Sequence, residues 1–307
     1  MTMTEKIKIA SKADSLELSL LAITPDGAPK AVFQLVHGMA EHKERYLPFM
    51  EFLASKGYAS VIHDHRGHGE SVRSAEDQGY FYSGGWKALV EDIHAVNEWA
   101  HSKWPGLPVV LFGHSMGSMA VRSYIKRYDS TVSALWVCGC PSYNAGAKAG
   151  ILLSRLIGAV KGDRFRSNLI QKIGFGGYAK AFKGESSPSC WVCSDPEVVK
   201  AYDADPLCGY VFTVNGFEGL FSLMVDCYSL KGWKVEQPGL PVRFISGEDD
   251  PCAISPKAFE SAVENIRKVG YTNVGSRRYE CMRHEILNER GKERVWNDIF
   301  EETERII

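Results

Sequence analysis

No segment of this sequence approaches the roughly 18 consecutive apolar residues that a membrane-spanning helix needs. The opening Met-Thr-Met-Thr-Glu-Lys-Ile-Lys-Ile-Ala has no apolar run of signal-peptide length. The expectation is a soluble, cytoplasmic protein with no stable membrane insertion. An excess of one charge is missing too, since 36 Lys and Arg face 37 Asp and Glu, for a formal net charge of -1. No overall field draws the chain to nucleic acid or to an anionic surface, and no nucleic-acid partner is expected. Eight cysteines, at 138, 140, 190, 193, 208, 227, 252 and 281, lack the spacing of a disulfide framework, which fits buried thiols in a reducing compartment. The one suggestive pair, Cys190-x-x-Cys193, has no second pair and no histidine pair beside it, so it does not read as a zinc site. Internal repeats and low-complexity linkers are absent as well.

What is present is core material in quantity. Of 307 residues, 45% are hydrophobic and 11% aromatic, enough for one large α/β domain. Residues 15–24 alternate as a half-buried strand closed by Pro25-Asp26-Gly27, and 30–37 read as a more buried strand. The two look like opening antiparallel strands of a sheet that later becomes parallel. A helix over 44–56 ends at Gly57, a short strand covers 59–63, and Asp64-His-Arg-Gly-His-Gly-Glu-Ser71 is a loop. A long helix spans 86–104; a strand from Val109, a turn at Ser115 and a helix to Tyr128 follow, then a strand over 133–138. Strand and helix in regular succession imply parallel βαβ units and a doubly wound sheet. The rhythm breaks after Pro141 and resumes at about 241, with a strand over 241–246, a helix over 256–269, a strand over 273–279 and a terminal helix over 292–307. The intervening residues carry helical patterns at 150–160 and 217–228. They read as an insertion lying over the sheet, giving a core of 1–140 and 239–307 and a cap of 141–238.

The chemistry gathers around Gly113-His-Ser-Met-Gly117. A β-branched strand stops at Gly113, a serine stands between glycines at two-residue spacing, and a helix begins. Such a turn strains the serine backbone and lifts its hydroxyl above the sheet, at a helix N-terminus. A serine nucleophile needs a base, an acid that orients the base, and donors for an oxyanion. In a parallel sheet these belong at the carboxyl ends of strands. After 241–246 comes Gly247-Glu-Asp-Asp-Pro251, where Glu248, Asp249 and Asp250 compete and the turn favours Asp250, with Asp226 a remote alternative. After 273–279 comes Glu280-Cys-Met-Arg-His-Glu285, which carries His284. After 30–37 comes His37-Gly-Met-Ala-Glu-His42, whose backbone supplies an oxyanion donor at Met39, alongside Met116. The order Ser, Asp, His differs from those of the chymotrypsin and subtilisin types.

With His37-Gly-Met-Ala-Glu-His42 and Arg45-Tyr46, Asp64 to Ser71, Gly113 to Gly117 and Arg283-His-Glu-Ile-Leu-Asn-Glu289 in sequence order, the chain resembles the monoacylglycerol lipase and lysophospholipase group of α/β-hydrolases. The resemblance implies the α/β-hydrolase fold, a mostly parallel central sheet flanked by helices, with a mainly helical cap inserted after the sixth strand. It implies Ser115 as nucleophile, Asp250 as acid, His284 as base and the Met39 and Met116 amides as oxyanion hole, with Glu41 and Arg45 near the glycerol end of the substrate. The reaction is acyl transfer from a lipid-like ester, monoacylglycerol or lysophospholipid, through an acyl-enzyme to water, and it needs no metal and no cofactor.

The apolar residues of the insertion, among them Leu152, Leu153, Leu156, Ile157, Phe217 and Phe221, suggest an acyl-binding tunnel beneath it. Lys148, Arg155, Lys161, Arg164 and Arg166, opposed in their own stretch only by Asp163, suggest either a solvated basic face or transient lipid contact. A general carboxylesterase, a thioesterase and a serine aminopeptidase-like hydrolase stay open with the same residues. A haloalkane dehalogenase would need aspartate at Ser115. A non-catalytic receptor on this fold needs no complete site, whereas every position here is filled.

Overall fold

The computed structural model describes residues 2–307. Its elements begin with β1 (Met3–Ala10), β2 (Glu17–Thr24), β3 (Val32–Val36), α1 (Leu47–Ser55), β4 (Ala59–His63), α2 (Gly85–Lys103), β5 (Val109–His114), α3 (Met116–Tyr128) and β6 (Ala134–Cys138). Next come four helices with no sheet strand between them, α4 (Ala147–Lys161), α5 (Asn168–Phe175), α6 (Pro196–Ala204) and α7 (Val214–Tyr228). The βα rhythm then returns as β7 (Val242–Gly247), α8 (Pro256–Lys268), β8 (Val274–Tyr279) and α9 (Lys292–Ile306).

The eight strands form one sheet in the order β1-β2-β4-β3-β5-β6-β7-β8. From β4 to β8 every neighbouring pair is parallel. The antiparallel part differs from the sequence expectation: β2 pairs antiparallel with β1 and β4, and β3 lies parallel between β4 and β5. Alternation reveals which face of a strand is buried and says nothing about its neighbour. The unbroken apolar run of β3, buried at all five positions, is what an interior parallel strand looks like. β1 escapes the sequence reading because Ile7 and Ile9 alternate with Lys6 and Lys8, whose exposed charges blunt a sheet edge.

Alternation along the strands divides the core in two. Leu20, Val36, Leu111, Val137 and Phe244 face one side, with residues of α2, α3, α7 and α8. Leu21, Phe33, Phe112, Trp136 and Ile245 face the other, with α1 and α9. Helices therefore cover both faces, as parallel strands require. The loops that follow β3, β5, β7 and β8 all leave the same carboxyl edge, and Met39, Glu41, Ser115, Asp250 and His284 are on them.

Four histidines lie fully buried beside that edge: His37, His63, His65 and His68. The His65 backbone N–H donates to His37 Nε2 at 2.9 Å, so the His37 proton sits on Nδ1 and is donated to the Gly38 carbonyl at 2.8 Å. Neutral rings are part of the structure here. Burial pushes all four down, and the neighbouring rings add to the effect on His37, His63 and His65; His63 falls to about 3 and His68 to about 4. Histidines depressed in the folded state take up protons on unfolding, so stability is full above their ordinary value near 6.5 and declines as pH falls below it. Neither ring nitrogen of His63 has a hydrogen-bond partner among the described residues. His63→Leu is expected to flatten the fall in stability between pH 6 and pH 4 by about one proton, or ~1.4 kcal/mol per pH unit at most. Urea unfolding across that range reads the slope; an unchanged slope would show that His63 does not carry it.

Candidate functional site

β5 ends at His114 and α3 begins at Met116, leaving Ser115 alone to turn the chain. Its backbone sits at φ 54 and ψ -117, a conformation that L residues avoid and that costs of order 1–3 kcal/mol. The turn is tight because strand and helix cross at contact distance. A Cβ on Gly113 would lie 2.5 Å from the Gly117 carbonyl oxygen, and one on Gly117 would lie 2.2 Å from that of Val36. Both glycines are thus required by space, and the strain falls on the serine between them. The Ser115 N–H donates to the Cys138 carbonyl at 3.0 Å, which fastens the turn to β6.

His284 Nε2 stands 2.8 Å from Ser115 Oγ, and His284 Nδ1 stands 3.0 Å from each Asp250 oxygen. Asp250 Oδ1 also accepts the Cys252 N–H at 2.9 Å, and Oδ2 accepts the Ser246 hydroxyl at 3.2 Å. Burial works against the Asp250 carboxylate, yet the charge and hydrogen bond of His284 hold it below the ordinary carboxylate range. Glu248 and Asp249, the competitors in the same turn, are exposed. Asp226 is engaged elsewhere, with Lys126 at 3.0 Å and Arg127 at 3.1 Å. The two loops meet at Gly247, where a Cβ would come within 2.1 Å of the Met282 carbonyl oxygen and 2.2 Å of that of Arg283. Any side chain there would push base and acid apart.

The loop after β3 crosses directly over the elbow. A Cβ on Gly38 would lie 3.1 Å from Ser115 Cβ, so the loop that carries Met39 runs against the serine, and Met116, next in the chain after Ser115, opens α3. What holds this loop is Glu41, buried with 3% of its surface exposed. Its Oε1 accepts the Gly38 N–H at 2.5 Å and the Tyr46 hydroxyl at 3.1 Å, and lies 3.2 Å from His114 Nδ1. Its Oε2 accepts Arg45 Nη1 at 2.7 Å. Arg45 reaches on to Glu285 with two bonds at 2.5 and 2.6 Å, and His114 Nε2 faces the His284 carbonyl at 3.2 Å. The loop after β3, the turn at Ser115 and the loop of His284 are joined through one carboxylate. A cavity of about 10 Å³ beside this network, bordered by Arg45, His114, Glu285 and Asn288, has room for about one water.

Sequence reasoning left His114 and Glu285 without roles, although both stand inside quoted motifs; their position next to Ser115 and His284 was the available signal. It also missed Trp191, whose ring lies 5.0 Å from that of His284, centroid to centroid. Residues 182–194 wrap the base loop. Val192 accepts the Glu285 N–H at 2.8 Å, Glu289 accepts the Ser194 and Arg283 N–H groups at 2.9 and 2.7 Å, and Phe182 stacks 3.9 Å under the Arg283 guanidinium. Three of the basic residues noted above are not free: Arg155 pairs with Glu218 at 2.8 Å, Arg164 with Asp77, and Arg166 donates to the Val211 and Glu76 carbonyls. Their partners come from outside the stretch, where sequence reading cannot see them.

For Glu41, burial alone would raise the carboxyl, but the hydrogen bond from His114 and the charge of Arg45 carry it well below its usual value. A depressed acid contributes stability that is present above its ordinary value near 4.3 and lost as the pH falls through the folded one. Glu41→Gln keeps the shape, removes the charge and leaves Arg45 with Glu285 alone. The expected outcome is a loss of ~2–4 kcal/mol at pH 7 that shrinks toward pH 3, because the wild type is losing the same contribution. Denaturant midpoints at pH 3, 5 and 7 check this; a loss that is constant across pH would be packing and not charge.

A family model described as "Serine aminopeptidase, S33" matches residues 27–291. Over 276 residues the chain is 27% identical to the monoacylglycerol lipase of Mycolicibacterium smegmatis, covering 90% of this chain and 89% of that one. A thermostable carboxyl esterase from Bacillus coagulans, solved with glycerol, superposes with a TM-score of 0.89 at 22% identity over 99% of this chain and 98% of that one. A monoglyceride lipase from Saccharomyces cerevisiae, solved with a substrate analog, superposes with a TM-score of 0.74 at 18% identity over 97% and 94% of the two chains. The chain has the α/β-hydrolase fold and belongs to the serine aminopeptidase S33 family of hydrolases.

Proposed function

We propose that the protein is a serine carboxylic-ester hydrolase acting on lipid-like esters, monoacylglycerol or lysophospholipid, through an acyl-enzyme. The observation that carries this is the unbroken relay from Asp250 through His284 to the hydroxyl of a strained Ser115. Ser115 Oγ gives its proton to His284 Nε2 as it attacks the ester carbonyl, Asp250 holds the imidazole by Nδ1, and the Met39 and Met116 amides receive the oxyanion. His284 then passes the proton to the departing alkoxide, which leaves as the alcohol. Water, deprotonated by the same imidazole, attacks the acyl-serine and releases the acid. The resemblance to the mycobacterial monoacylglycerol lipase along nearly all of both chains supports the lipid-like substrate.

Residues 1–140 and 239–307 serve as the catalytic core in this reading, and 141–238 as a cap that selects the acyl chain. On α4, Leu152 and Leu156 point outward, 60% and 58% exposed, whereas Leu153 and Ile157 pack inward with Phe221. The inner set is the wall offered to an acyl chain. The outer set, with Leu169 and Ile173 on α5, is an apolar stripe suited to brief contact with lipid. Glu41 and Arg45 act at the headgroup end through the loop they hold. Their polar atoms are committed to Gly38, Tyr46, His114 and Glu285, with side chains 4% and 12% exposed. The same commitment weighs against a peptidase, because neither Glu41 nor Glu285 is a free carboxylate for a peptide amino group.

Ser115→Ala is expected to leave the fold intact and lower ester turnover at least ~10⁴-fold, with labelling by a fluorophosphonate probe lost in parallel. Turnover within tenfold of the wild type would remove Ser115 as nucleophile, and a wild type that neither reacts with the probe nor turns over esters would favour a non-catalytic role. Initial rates over a panel crossing acyl length with glycerol, lysophospholipid and simple alkyl leaving groups test the cap. Medium and long acyl chains on glycerol are expected to exceed acetyl esters by at least about tenfold in kcat/KM, near the lower end of what a few buried methylenes supply. A preference for acetyl esters would count against an acyl-selecting cap.

A further inference from the structure

Outside the triad, one cluster of potential ligands is unused by the chemistry above. His42 closes the oxyanion loop, while Asp205 and Cys208 lie between α6 and α7, in the segment that rests on that loop. There the Gly209 N–H donates to the Ala40 carbonyl at 2.9 Å, and the Tyr202 hydroxyl donates to the same oxygen at 3.2 Å. The His42 ring nitrogen, an Asp205 oxygen and Cys208 Sγ all lie within 4.8 Å of one another. We propose that His42, Asp205 and Cys208 form a site for a borderline-soft divalent cation, Zn²⁺ foremost, that ties the α6–α7 segment to the oxyanion loop.

The donor set is the first argument: imidazole nitrogen, carboxylate oxygen and thiolate sulfur are the three ligand types of zinc, and a water can complete the tetrahedron. Spacing is the second. Ligands at 2.0–2.3 Å from a tetrahedral ion are roughly 3.3–3.8 Å apart. His42 Nε2 and Asp205 Oδ2, now at 2.9 Å, need to part by only a few tenths of an ångström, and the thiol needs to close by about 1.3 Å at most. The third is the outer partner. His42 Nδ1 faces Glu44 Oε2 at 2.9 Å, the carboxylate–histidine arrangement that orients a metal-binding imidazole and strengthens it as a ligand.

Both ring nitrogens of His42 face carboxylate oxygens, so without metal the ring is an imidazolium donating to both. Although burial opposes the charge, Glu44 and Asp205 hold it above the ordinary histidine value. Burial pushes the Cys208 thiol up, with Arg45 opposing the rise and Glu41, Asp205 and Glu285 adding to it. Lys43 also stands by, bonded to Asp64, Glu70 and Glu44 at 2.6, 2.8 and 3.0 Å. Binding is therefore an exchange: the cation enters, the imidazolium gives up its Nε2 proton, the thiol gives up its own, and two protons leave for one metal ion. The side of Asp205, with its side chain 33% exposed, is open to solvent.

A second mixed trio, Asp250, Cys252 and His284, also meets the distance requirement, but both ring nitrogens of His284 are already held, by Asp250 and Ser115. The test must separate the two. Co²⁺ titrated into the purified, chelator-stripped full chain is expected to give tetrahedral visible bands and a thiolate-to-cobalt charge-transfer band at one equivalent, displaced by Zn²⁺. In Cys208→Ser the charge-transfer band disappears, and in Cys252→Ser it stays. Glu44→Gln is expected to weaken the metal ten- to a hundredfold while keeping the band, as loss of an outer partner does. No band at millimolar Co²⁺, or a band that survives in Cys208→Ser or vanishes in Cys252→Ser, would overturn the proposal. None of these readouts depends on ester turnover, so the site and the proposed activity stand or fall separately.

Discussion

One buried carboxylate governs the geometry of the carboxyl edge around Ser115. Glu41 accepts the Gly38 N–H, the Tyr46 hydroxyl and the Arg45 guanidinium, and faces the ring of His114. Each partner belongs to a different constraint: the loop after β3, the start of α1, the bridge to Glu285 on the loop after β8, and the residue before Ser115. A charge placed so deep is costly unless it is paired and hydrogen-bonded, and here Oε1 faces three partners while Oε2 pairs with Arg45. Remove the carboxylate and an arginine and three loops lose their common reference.

That anchoring explains how the strain at Ser115 persists. A serine at φ 54 relaxes unless its surroundings over-determine it. On one side the crossing of β5 and α3, closed to any side chain at Gly113 and Gly117, leaves the chain no other path. On the other side, the Gly38 loop presses on the serine from above and the His284 ring takes its hydroxyl. The strained turn and the charged network are thus two halves of one device, with the backbone supplying position and the carboxylate holding the neighbours still.

The segment of residues 141–238 adds no strand to the sheet. It touches the core through particular contacts, such as Trp191 on His284, Val192 on Glu285 and Ser194 on Glu289, more than through a continuous sheet. Its inner face shares the core with α3 and α2, and its outer face leaves leucines and isoleucines in solvent.

Much of this was legible from residue order. Hydrophobic period and turn residues determine most strands and helices to within a few positions, because a strand must bury one or both faces and a helix one stripe whatever lies next to it. The placement of Ser115, Asp250 and His284 followed from one topological rule, that polar residues after parallel strands share an edge. Partnership was beyond reach. Nothing local in Met3–Ala10 says that it will pair with β2, nothing in the run of β3 says that its neighbours are β4 and β5, and α5 and α6, eight and nine residues long, are too short to show a period. Glu41 shows the limit most plainly. Its motif marked it as important, yet only the tertiary structure decided that its charge is spent on Gly38, Tyr46, Arg45 and His114, since hydrogen-bond partners 73 residues apart in the chain are chosen by the fold and by no pattern along it.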